Sequence, residues 1–421
     1  MTMPINDRSI IHPPSGVAPA RIADRFDVAI VGGGIVGLAS ARAMLERWPG
    51  IRVAVVEKEL SLGLHQTGRN SGVVHSGIYY KPGSFKSRLC ASGNVAMVAF
   101  CEEHAIAYER CGKLIVASDE SERVRLHALR DRGLAAGIEV SVLSRTEIAE
   151  REPSVVGVEG LWVPATGITD YTAVLRALAG IVERHDGLIA LGTEVLGFRH
   201  TTGEHILQTT KGEIRARWLV NCAGLQSDRV AARAGAEMSA RIVPFRGEYF
   251  ELAAHRRSLV KGLVYPVPDP DFPFLGVHFT RMVDGSVHAG PNAVLALARE
   301  GYRKTDISLR DIVDVVSFPG FWRLARRHAA SGVAEMARSV SKRLFLHSLR
   351  RLIPELELDD LVPTQAGVRA QLLERSGALV DDFMIVQTRN ATHVCNAPSP
   401  AATSSLEIGR LIADQVAPSF A

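Results

Sequence analysis

A glycine-rich turn between an apolar strand and a helix constrains the fold of this chain more than any other feature. Residues Phe26–Val31 form an apolar, branched run, and Gly32, Gly34 and Gly37 follow it in GxGxxG spacing. Such a run is typical of a strand buried on both faces of a parallel sheet. The next segment reads as a helix that ends near Trp48, where a Pro-Gly pair stops it. The pattern therefore predicts the strand, turn and helix that open a Rossmann-like α/β domain.

Each residue of this turn suits the binding of a dinucleotide. Gly32 permits the tight turn, Gly34 lets the backbone approach a pyrophosphate, and Gly37 allows close packing of helix on strand. The free N–H groups of the helix N-terminus point at the phosphates. A second predicted strand, Arg52–Val56, ends at Glu57, whose carboxylate can accept both ribose hydroxyl protons. An acid at this position disfavours a 2′-phosphate and therefore NADP.

Two later segments bear on the choice between FAD and NAD, which the glycine spacing leaves open. In ARWLVNCAGLQSD, a predicted strand at Trp218–Cys222 breaks at Ala223 and Gly224. In PSPAATSSLEIGRLIADQV, small and hydroxylated residues precede a predicted helix that starts near Ser404. A helix N-terminus stabilises negative charge, and a bound flavin gains such charge at its N1–C2=O edge on reduction. An NAD-binding fold does not ordinarily need a C-terminal helix that contacts the cofactor again, so the sequence favours FAD.

Composition limits the remaining classes. The 421 residues suffice for two domains, and 47% hydrophobic with 22% charged residues is typical of folded globular proteins. A formal charge of +4 does not suggest nucleic-acid binding, and five cysteines without a CxxC pair indicate reduced thiols in the cytoplasm, with no metal site. No stretch approaches the roughly 18 to 20 apolar residues of a membrane span, and residues 1–23 are expected to be a flexible leader.

Long blocks of the sequence resemble the FAD-dependent amino-acid oxidase superfamily and, within it, the family of L-2-hydroxyglutarate oxidases and dehydrogenases. The resemblance covers the chain from about residue 26 to its end. It is carried by the blocks TGRNSGVVHSGIYYKPGS, LVNCAGLQSDRVA, VPFRGEYFEL, LVYPVPDPDFPFLGVHFTRMVDG, VHAGPNAVLALAREGY and CNAPSPAATSSLEIG.

The resemblance implies an α/β fold, α+β overall, like that of D-amino-acid oxidase and glycine oxidase. A Rossmann-like FAD-binding domain is expected to be discontinuous and to alternate along the chain with an antiparallel-sheet substrate domain. The expected FAD-binding domain comprises residues 24–90, 150–243 and 361–421. The expected substrate domain comprises residues 91–149 and 244–360.

The resemblance also implies oxidation of the C2 hydroxyl of L-2-hydroxyglutarate to 2-oxoglutarate, with hydride transfer from C2 to flavin N5. The hydroxyl proton then needs a base, and histidine has a pKa suited to this role near neutrality. His278 and His75 lie in the blocks that carry the resemblance and are the candidates. For His75 three roles stay open, namely base, substrate ligand and covalent tether of the flavin.

The two carboxylates of such a substrate need cationic partners. The planar guanidinium binds a carboxylate through two parallel hydrogen bonds, so arginines in the presumed cleft segments are the first candidates. Those segments contain Arg246, Arg281 and Arg369, and Tyr249 and Tyr265 could add neutral donors.

The expected FAD contacts come from the glycine turn, the ends of the neighbouring strands and the loops that resemble the family. They are Gly32, Gly34, Gly37, Glu57, Lys58, Thr67, Asn70, Ser71, Val195, Ala223, Gly224, Gly367, Ser399, Ala401, Ala402 and Thr403.

Residues 318–356 form a basic segment with helical periodicity. Its apolar side chains either pack on the core beneath a solvated basic face, or dock on an anionic membrane at the inner face, where a quinone could collect electrons. Oxygen is the alternative acceptor.

Two other functions stay open at this point. The superfamily fold would permit an FAD-dependent amine oxidase acting on sarcosine or glycine. A flavin-binding interaction protein without turnover is a further alternative, which the histidines and arginines of the cleft blocks disfavour.

Overall fold

The structure, a computed structural model, describes residues 25–269 and 275–417, and the predicted leader over 1–23 lies outside them. The described chain forms two compact units, each assembled from separated segments. Unit 1 contains residues 25–68, 171–239 and 383–417, and unit 2 contains residues 69–170, 240–269 and 275–382.

The strands are β1 Arg25–Val31, β2 Val53–Val56, β3 Val73–Val74, β4 Tyr108–Glu109, β5 Lys113–Ala117, β6 Ser141–Ser144, β7 Glu159–Val163, β8 Gly167–Thr169, β9 Leu188–Ala190, β10 Val195–Thr201, β11 Glu204–Thr209, β12 Gly212–Asn221, β13 Ala240–Gly247, β14 Phe250–Leu252, β15 Leu263–Pro266, β16 His278–Arg281, β17 Val287–Gly290, β18 Val294–Leu295, β19 Leu361–Pro363, β20 Gly367–Glu374, β21 Met384–Thr388 and β22 Ala391–Asn396. The helices are α1 Ile35–Arg47, α2 Phe85–Glu103, α3 Glu120–Ala135, α4 Arg145–Arg151, α5 Tyr171–Arg184, α6 Ser227–Arg233, α7 Leu309–Val316, α8 Pro319–Arg327, α9 Ala329–Val340, α10 Lys342–Leu349 and α11 Ser405–Val416.

Unit 1 is built on an eight-stranded sheet that contains the Rossmann-like start predicted from the glycine turn. Strand β1 lies between β2 and β12 and runs parallel to both, in the order β10-β11-β12-β1-β2-β9. Strand β22 adds to β12 in parallel and carries β21. Because the carboxyl ends of parallel strands meet at one edge, the turns after β1, β2 and β12 all lie at that edge.

Unit 2 is built on a second eight-stranded sheet, in the order β19-β14-β17-β16-β15-β5-β7-β6. Its pairs are antiparallel except for β15 with β5, which are parallel. Two three-stranded sheets, β18-β13-β20 and β3-β8-β4, complete the unit. The predicted sheet is therefore present, with one parallel pair that the prediction did not contain.

The units divide the chain at other positions than the predicted domains. Residues 69–90 and 150–170 belong to unit 2, because β3 pairs with β8 and β5 pairs with β7. Residues 361–382 also belong to unit 2, because β19 pairs with β14 and β20 pairs with β13. Strand pairing across long sequence separations, which no local pattern reports, sets these boundaries. The assignment of FAD and substrate binding to the two domains stays a prediction.

The basic segment 318–356 forms helices α8, α9 and α10 and the turn after them. The apolar side chains of α10 and that turn, Phe345, Leu346, Leu349 and Leu352, are buried in the core of unit 2. Core packing therefore accounts for most of its apolar periodicity, whereas Trp322 on α8 remains half exposed. Within residues 25–269 and 275–417, no helix combines the length and apolarity needed to cross a bilayer.

Candidate active site

The glycine turn of unit 1 has two positions fixed by packing and one that packing leaves open. Gly32 has φ +109°, and a Cβ there would overlap the carbonyl oxygen of Cys222. A Cβ on Gly37 would overlap the carbonyl oxygen of Gly32. Outside its own turn, a Cβ on Gly34 would contact only Thr67 Oγ1, at 3.5 Å. Packing within the protein thus does not require glycine at position 34. A glycine there instead leaves room for a pyrophosphate to approach the backbone closely.

The carboxylate of Glu57 is held at the end of β2 by the main chain. Gly33 N–H donates to Oε2 at 2.8 Å, and Glu59 N–H donates to Oε1 at 2.9 Å. Each oxygen keeps a second lone pair for a ribose hydroxyl. The ammonium of Lys58 pairs with Glu59 and lies 3.1 Å from His65 Nε2, so its contact with the cofactor stays a prediction.

The turn that follows β12 is fixed by one asparagine. Asn221 Oδ1 accepts a hydrogen bond from Ala223 N–H at 3.1 Å, and its Nδ2 donates to the carbonyl of Ser227 at 2.8 Å. Gly224 then takes a positive φ of +53°. This turn and the glycine turn therefore lie side by side at the carboxyl edge of the sheet.

Two further predicted contacts lie in the same unit. Thr67 Oγ1 accepts a hydrogen bond from Ile35 N–H at 3.1 Å, at the first turn of α1. Val195 opens β10 and is buried.

The N-terminus of α11 offers buried hydroxyl groups. Ser404 and Ser405 are fully buried, and in the described part of the chain their hydroxyls have no hydrogen-bond partner. Thr403 Oγ1 lies 2.9 Å from the Tyr171 hydroxyl. The predicted contacts Ser399, Ala401 and Ala402 lie in the turn that leads into this helix.

Close packing brings α11 against α1. A Cβ on Gly409 would lie only 2.5 Å from the carbonyl oxygen of Ala39, so glycine is required at this crossing. The open space at Gly34, the held carboxylate of Glu57 and the unpartnered serine hydroxyls make unit 1 suitable for a flavin dinucleotide.

Three predicted cofactor contacts belong to unit 2 instead. Asn70 Oδ1 accepts a hydrogen bond from Gly72 N–H at 2.8 Å, which closes the turn that contains Ser71. A Cβ on Gly367 would lie 2.5 Å from the carbonyl oxygen of Arg69, so this turn packs directly on the start of β20. Their contacts with FAD stay predictions.

Unit 2 brings His278 and Tyr265 together in its interior. The two rings stack with centroids 3.8 Å apart and planes 20° apart, and both side chains are buried. His278 Nδ1 donates to the carbonyl oxygen of Gly276 at 2.8 Å, so in the neutral ring Nε2 is the basic nitrogen. Burial lowers the pKa of His278 to about 3, and the charges of Lys113 and Arg369 contribute to this decrease.

His75 lies close enough to His278 for the charges of the two side chains to interact. Burial lowers its pKa well below the ordinary value, and the charges of Lys113, His278 and Lys86 lower it further. Its main-chain carbonyl accepts a hydrogen bond from Asn94 Nδ2 at 3.0 Å, which fixes the segment after β3 on α2.

Sequence reasoning missed Lys113, the first residue of β5. Its side chain is only 1% exposed, with Nζ 4.2 Å from the centroid of the Tyr265 ring and 5.0 Å from that of Tyr79. Burial lowers its pKa to about 7. The available signal was its position directly before four apolar residues in GKLIVA, because a buried strand seldom begins with an unpaired lysine.

The three predicted arginines separate into two groups. Arg246 pairs with Glu248 at 3.1 Å, and Arg281 pairs with Glu109, so both already have carboxylate partners. Arg369 donates to the carbonyl oxygen of Asn292 at 3.2 Å, and it interacts electrostatically with Tyr249, His278 and the buried carboxylate of Glu335.

Five of the seven predicted catalytic and substrate residues therefore interact with one another in unit 2, and the structure adds Tyr79 and Lys113 to them. We call this set the unit-2 cluster, and it consists of His75, Tyr79, Lys113, Tyr249, Tyr265, His278 and Arg369. Arg246 and Arg281 are engaged by glutamates. The roles of all these residues stay predictions.

Comparison with known proteins identifies the class. The family described as FAD dependent oxidoreductase matches residues 27–415. The chain is 46% identical over 392 residues to L-2-hydroxyglutarate dehydrogenase of Escherichia coli (strain K12), which covers 93% of each chain. The protein belongs to the FAD-dependent oxidoreductase family, with FAD as its cofactor.

Solved structures with low sequence identity confirm the fold. FAD-bound L-alpha-glycerophosphate oxidase from Mycoplasma pneumoniae has a TM-score of 0.77 at 22% identity, covering 94% of this chain and 95% of that chain. Glycine oxidase from Geobacillus kaustophilus has a TM-score of 0.72 at 21% identity, with the same coverage. The predicted glycine oxidase-like fold is thus confirmed.

Proposed function

We propose that this enzyme oxidises L-2-hydroxyglutarate to 2-oxoglutarate. Similarity over almost the whole chain to dehydrogenases named for that substrate supports the proposal. The structural observation that carries it is His278, a buried histidine whose Nε2 is the basic nitrogen and whose surroundings include the cation Arg369. An α-hydroxy acid needs this combination, a proton acceptor for its hydroxyl and a cation for its carboxylate.

In this proposal His278 Nε2 accepts the proton of the C2 hydroxyl. Bound FAD supplies the acceptor for the hydride that leaves C2. The hydrogen bond from Nδ1 to Gly276 keeps the ring in the required tautomer and orientation. The low pKa keeps His278 neutral before substrate arrives, and the negative charge of a bound substrate favours its protonation.

Arg369 is proposed to bind the C1 carboxylate next to the reacting hydroxyl. A guanidinium can hold that carboxylate in a fixed plane through two hydrogen bonds. Burial raises the pKa of the hydroxyls of Tyr249 and Tyr265, so both stay protonated and can donate hydrogen bonds. Since the pKa of His75 is also lowered, we assign it the role of a neutral substrate ligand.

Anaerobic reduction of the bound flavin tests this function. Purified holoenzyme is mixed without oxygen with L-2-hydroxyglutarate, sarcosine or glycine, and flavin absorbance is followed. We expect rapid bleaching with L-2-hydroxyglutarate alone. Bleaching by sarcosine or glycine but not by L-2-hydroxyglutarate would contradict the proposal and favour an amine oxidase.

We also propose that helices α8 to α10 contact an anionic membrane surface, where a quinone accepts the electrons. On these helices apolar Trp322, Val333, Met336, Val340 and Leu344 are exposed. Exposed arginines accompany them, whereas Glu335, the acidic residue of the segment between 318 and 351, is buried. Such a face matches an interfacial helix on anionic lipid.

Vesicle flotation and reoxidation test this second part. The protein should float with phosphatidylglycerol vesicles and not with phosphatidylcholine vesicles, and the double variant Arg326→Glu, Arg327→Glu should lose binding. The reduced enzyme should be reoxidised faster by a soluble quinone than by oxygen. Equal flotation of the variant would remove the membrane proposal, and faster reoxidation by oxygen would remove the quinone.

A further inference from the structure

The substrate proposed above has a second carboxylate, at C5, to which no residue has yet been assigned. Arg246 and Arg281 are engaged by Glu248 and Glu109, and Arg369 is taken by the C1 carboxylate. After these three arginines, Lys113 is the buried cation that lowers the pKa of both histidines of the unit-2 cluster. It opens the interior strand β5 of the main sheet of unit 2, beside β15, which carries Tyr265.

The positive charge of Lys113 is stabilised by two aromatic rings but not by a carboxylate from the described residues. Its ammonium contacts the faces of Tyr79 and Tyr265, and cation–π contacts of this kind stabilise a desolvated ammonium only modestly. Within the described chain no carboxylate forms an ion pair with Lys113. A buried ammonium without an anion is unfavourable, and this is why its pKa falls to about 7.

The nearby ionisable groups do not supply the missing negative charge. Burial raises the pKa of Cys90 to about 12 and that of Cys111 to about 11, so both thiols are uncharged near neutrality. Burial also keeps Tyr79 and Tyr265 protonated. The groups around Lys113 are therefore uncharged near neutrality, and they are Tyr79, His75, Cys90, Cys111, Tyr265 and His278. The positive charge of Lys86 acts on His75 and Cys90.

We propose that Lys113 binds the C5 carboxylate of the substrate and thereby selects 2-hydroxy acids that carry a second carboxylate. This inference rests on the proposed function, because it places the C2 hydroxyl at His278. Lys113 Nζ lies 4.2 Å from the centroid of the Tyr265 ring, and that ring stacks on His278 with centroids 3.8 Å apart. Arg369 also interacts electrostatically with His278, so each end of a short dicarboxylate has a cation within the same cluster. A binding carboxylate completes the ion pair that Lys113 lacks.

The test compares two substrates that differ in one charge. The 5-carboxamide of L-2-hydroxyglutarate keeps the shape of the substrate but replaces the C5 carboxylate by a neutral group. For each compound, the rate of anaerobic flavin reduction is measured against concentration, and the ratio of the two efficiencies defines the preference for the dicarboxylate. Removing one partner of a buried charge pair weakens binding by about 30-fold to several thousand-fold.

Lys113→Met removes the charge and keeps the length of the side chain. We expect the preference to fall by at least about 30-fold in this variant. Lys86→Met is the matched control, because Lys86 is also buried but its ammonium already pairs with Asp381 at 3.0 Å. The control should keep the wild-type preference. A Lys113→Met protein that retains flavin and the wild-type preference overturns the proposal.

If Lys113→Met does not fold, the pH dependence of the preference in the wild-type enzyme tests the role of Lys113. As pH rises above about 7, Lys113 loses its proton in the free enzyme, and only the dicarboxylate requires that proton. The preference should then fall about ten-fold per pH unit, while titration of His278 affects both compounds alike. A preference that is constant between pH 7 and 10 overturns the proposal.

Failure of the proposed function has a different signature. In that case wild-type flavin is not reduced by L-2-hydroxyglutarate at any pH, and the assignment of Lys113 fails with it. If L-2-hydroxyglutarate does reduce the wild type, only the preference data can overturn the assignment.

Discussion

The two units build their sites in different ways. In unit 1, the elements that suit FAD are a turn between adjacent elements, a carboxylate held by backbone amides and a helix N-terminus. In unit 2, the unit-2 cluster is made of side chains from distant strands, such as Lys113 on β5 and His278 on β16. Backbone sites leave a local signature in the sequence, whereas side-chain clusters depend on which strands become neighbours.

The largest expected effect comes from substitutions in the glycine turn of unit 1. Gly34→Leu should give a folded protein without flavin, because its side chain would occupy the pyrophosphate position, while its Cβ is only in ordinary contact with Thr67 Oγ1 at 3.5 Å. Gly37→Leu is the contrast, since even a Cβ there overlaps the carbonyl of Gly32 and should prevent folding. Flavin absorbance and circular dichroism distinguish the two results. Normal flavin content in Gly34→Leu would show that the binding mode is wrong.

The next effect concerns the base in unit 2. His278→Ala should retain flavin and slow its reduction by L-2-hydroxyglutarate by roughly 10²-fold to 10⁴-fold, the usual contribution of a general base. His288→Ala, on the neighbouring strand β17, serves as the control and should reduce at close to the wild-type rate. Stopped-flow absorbance measures both. A His278→Ala enzyme that is reduced as fast as wild type removes His278 from this role.

The two kinds of arginine in unit 2 should respond differently. Arg369→Met should weaken substrate binding by about 30-fold or more, because it removes the cation proposed for the C1 carboxylate. Arg246→Met should instead lower the free energy of unfolding by about 3 kcal/mol, because it leaves the mostly buried Glu248 without its arginine. Substrate titration and urea unfolding measure these effects. The opposite pattern would show that the ion pair with Glu248 opens to bind substrate.

The smallest effect concerns the acid stability of unit 1. His393 is fully buried, and burial followed by the charge of His205 lowers its pKa to about 4. The unfolded chain takes up this proton near pH 6.5, so the stabilisation is complete above that pH and is lost as pH falls towards 4. The loss should amount to about 3 kcal/mol. Urea unfolding between pH 7 and 4 measures it, and His393→Gln should reduce the dependence on pH.

The sites differ in how far they could be predicted. The strand, the glycine turn, Glu57 and the helix near Ser404 were all readable, because each follows from local spacing and end signals. His278 and Arg369 could be nominated only because their segments resemble a family. Lys113 was missed although it directly precedes four apolar residues, because that position predicts burial but not which side chains the lysine will meet.

By itself the sequence determined the Rossmann-like start of the chain and the preference for a flavin, since backbone conformation and helix ends follow from nearby residues. The oxidase-like fold was expected because long blocks of the sequence resemble a family with that fold. Only the tertiary structure decided the unit boundaries, which arginines are neutralised and which cation stands beside the histidines. Those outcomes depend on pairs such as Lys113 with Leu263 and Gly247 with Gly367, which are more than 100 residues apart. Burial and charge act through space, so a side chain acquires its ion pair or its shifted pKa only when the strands have paired.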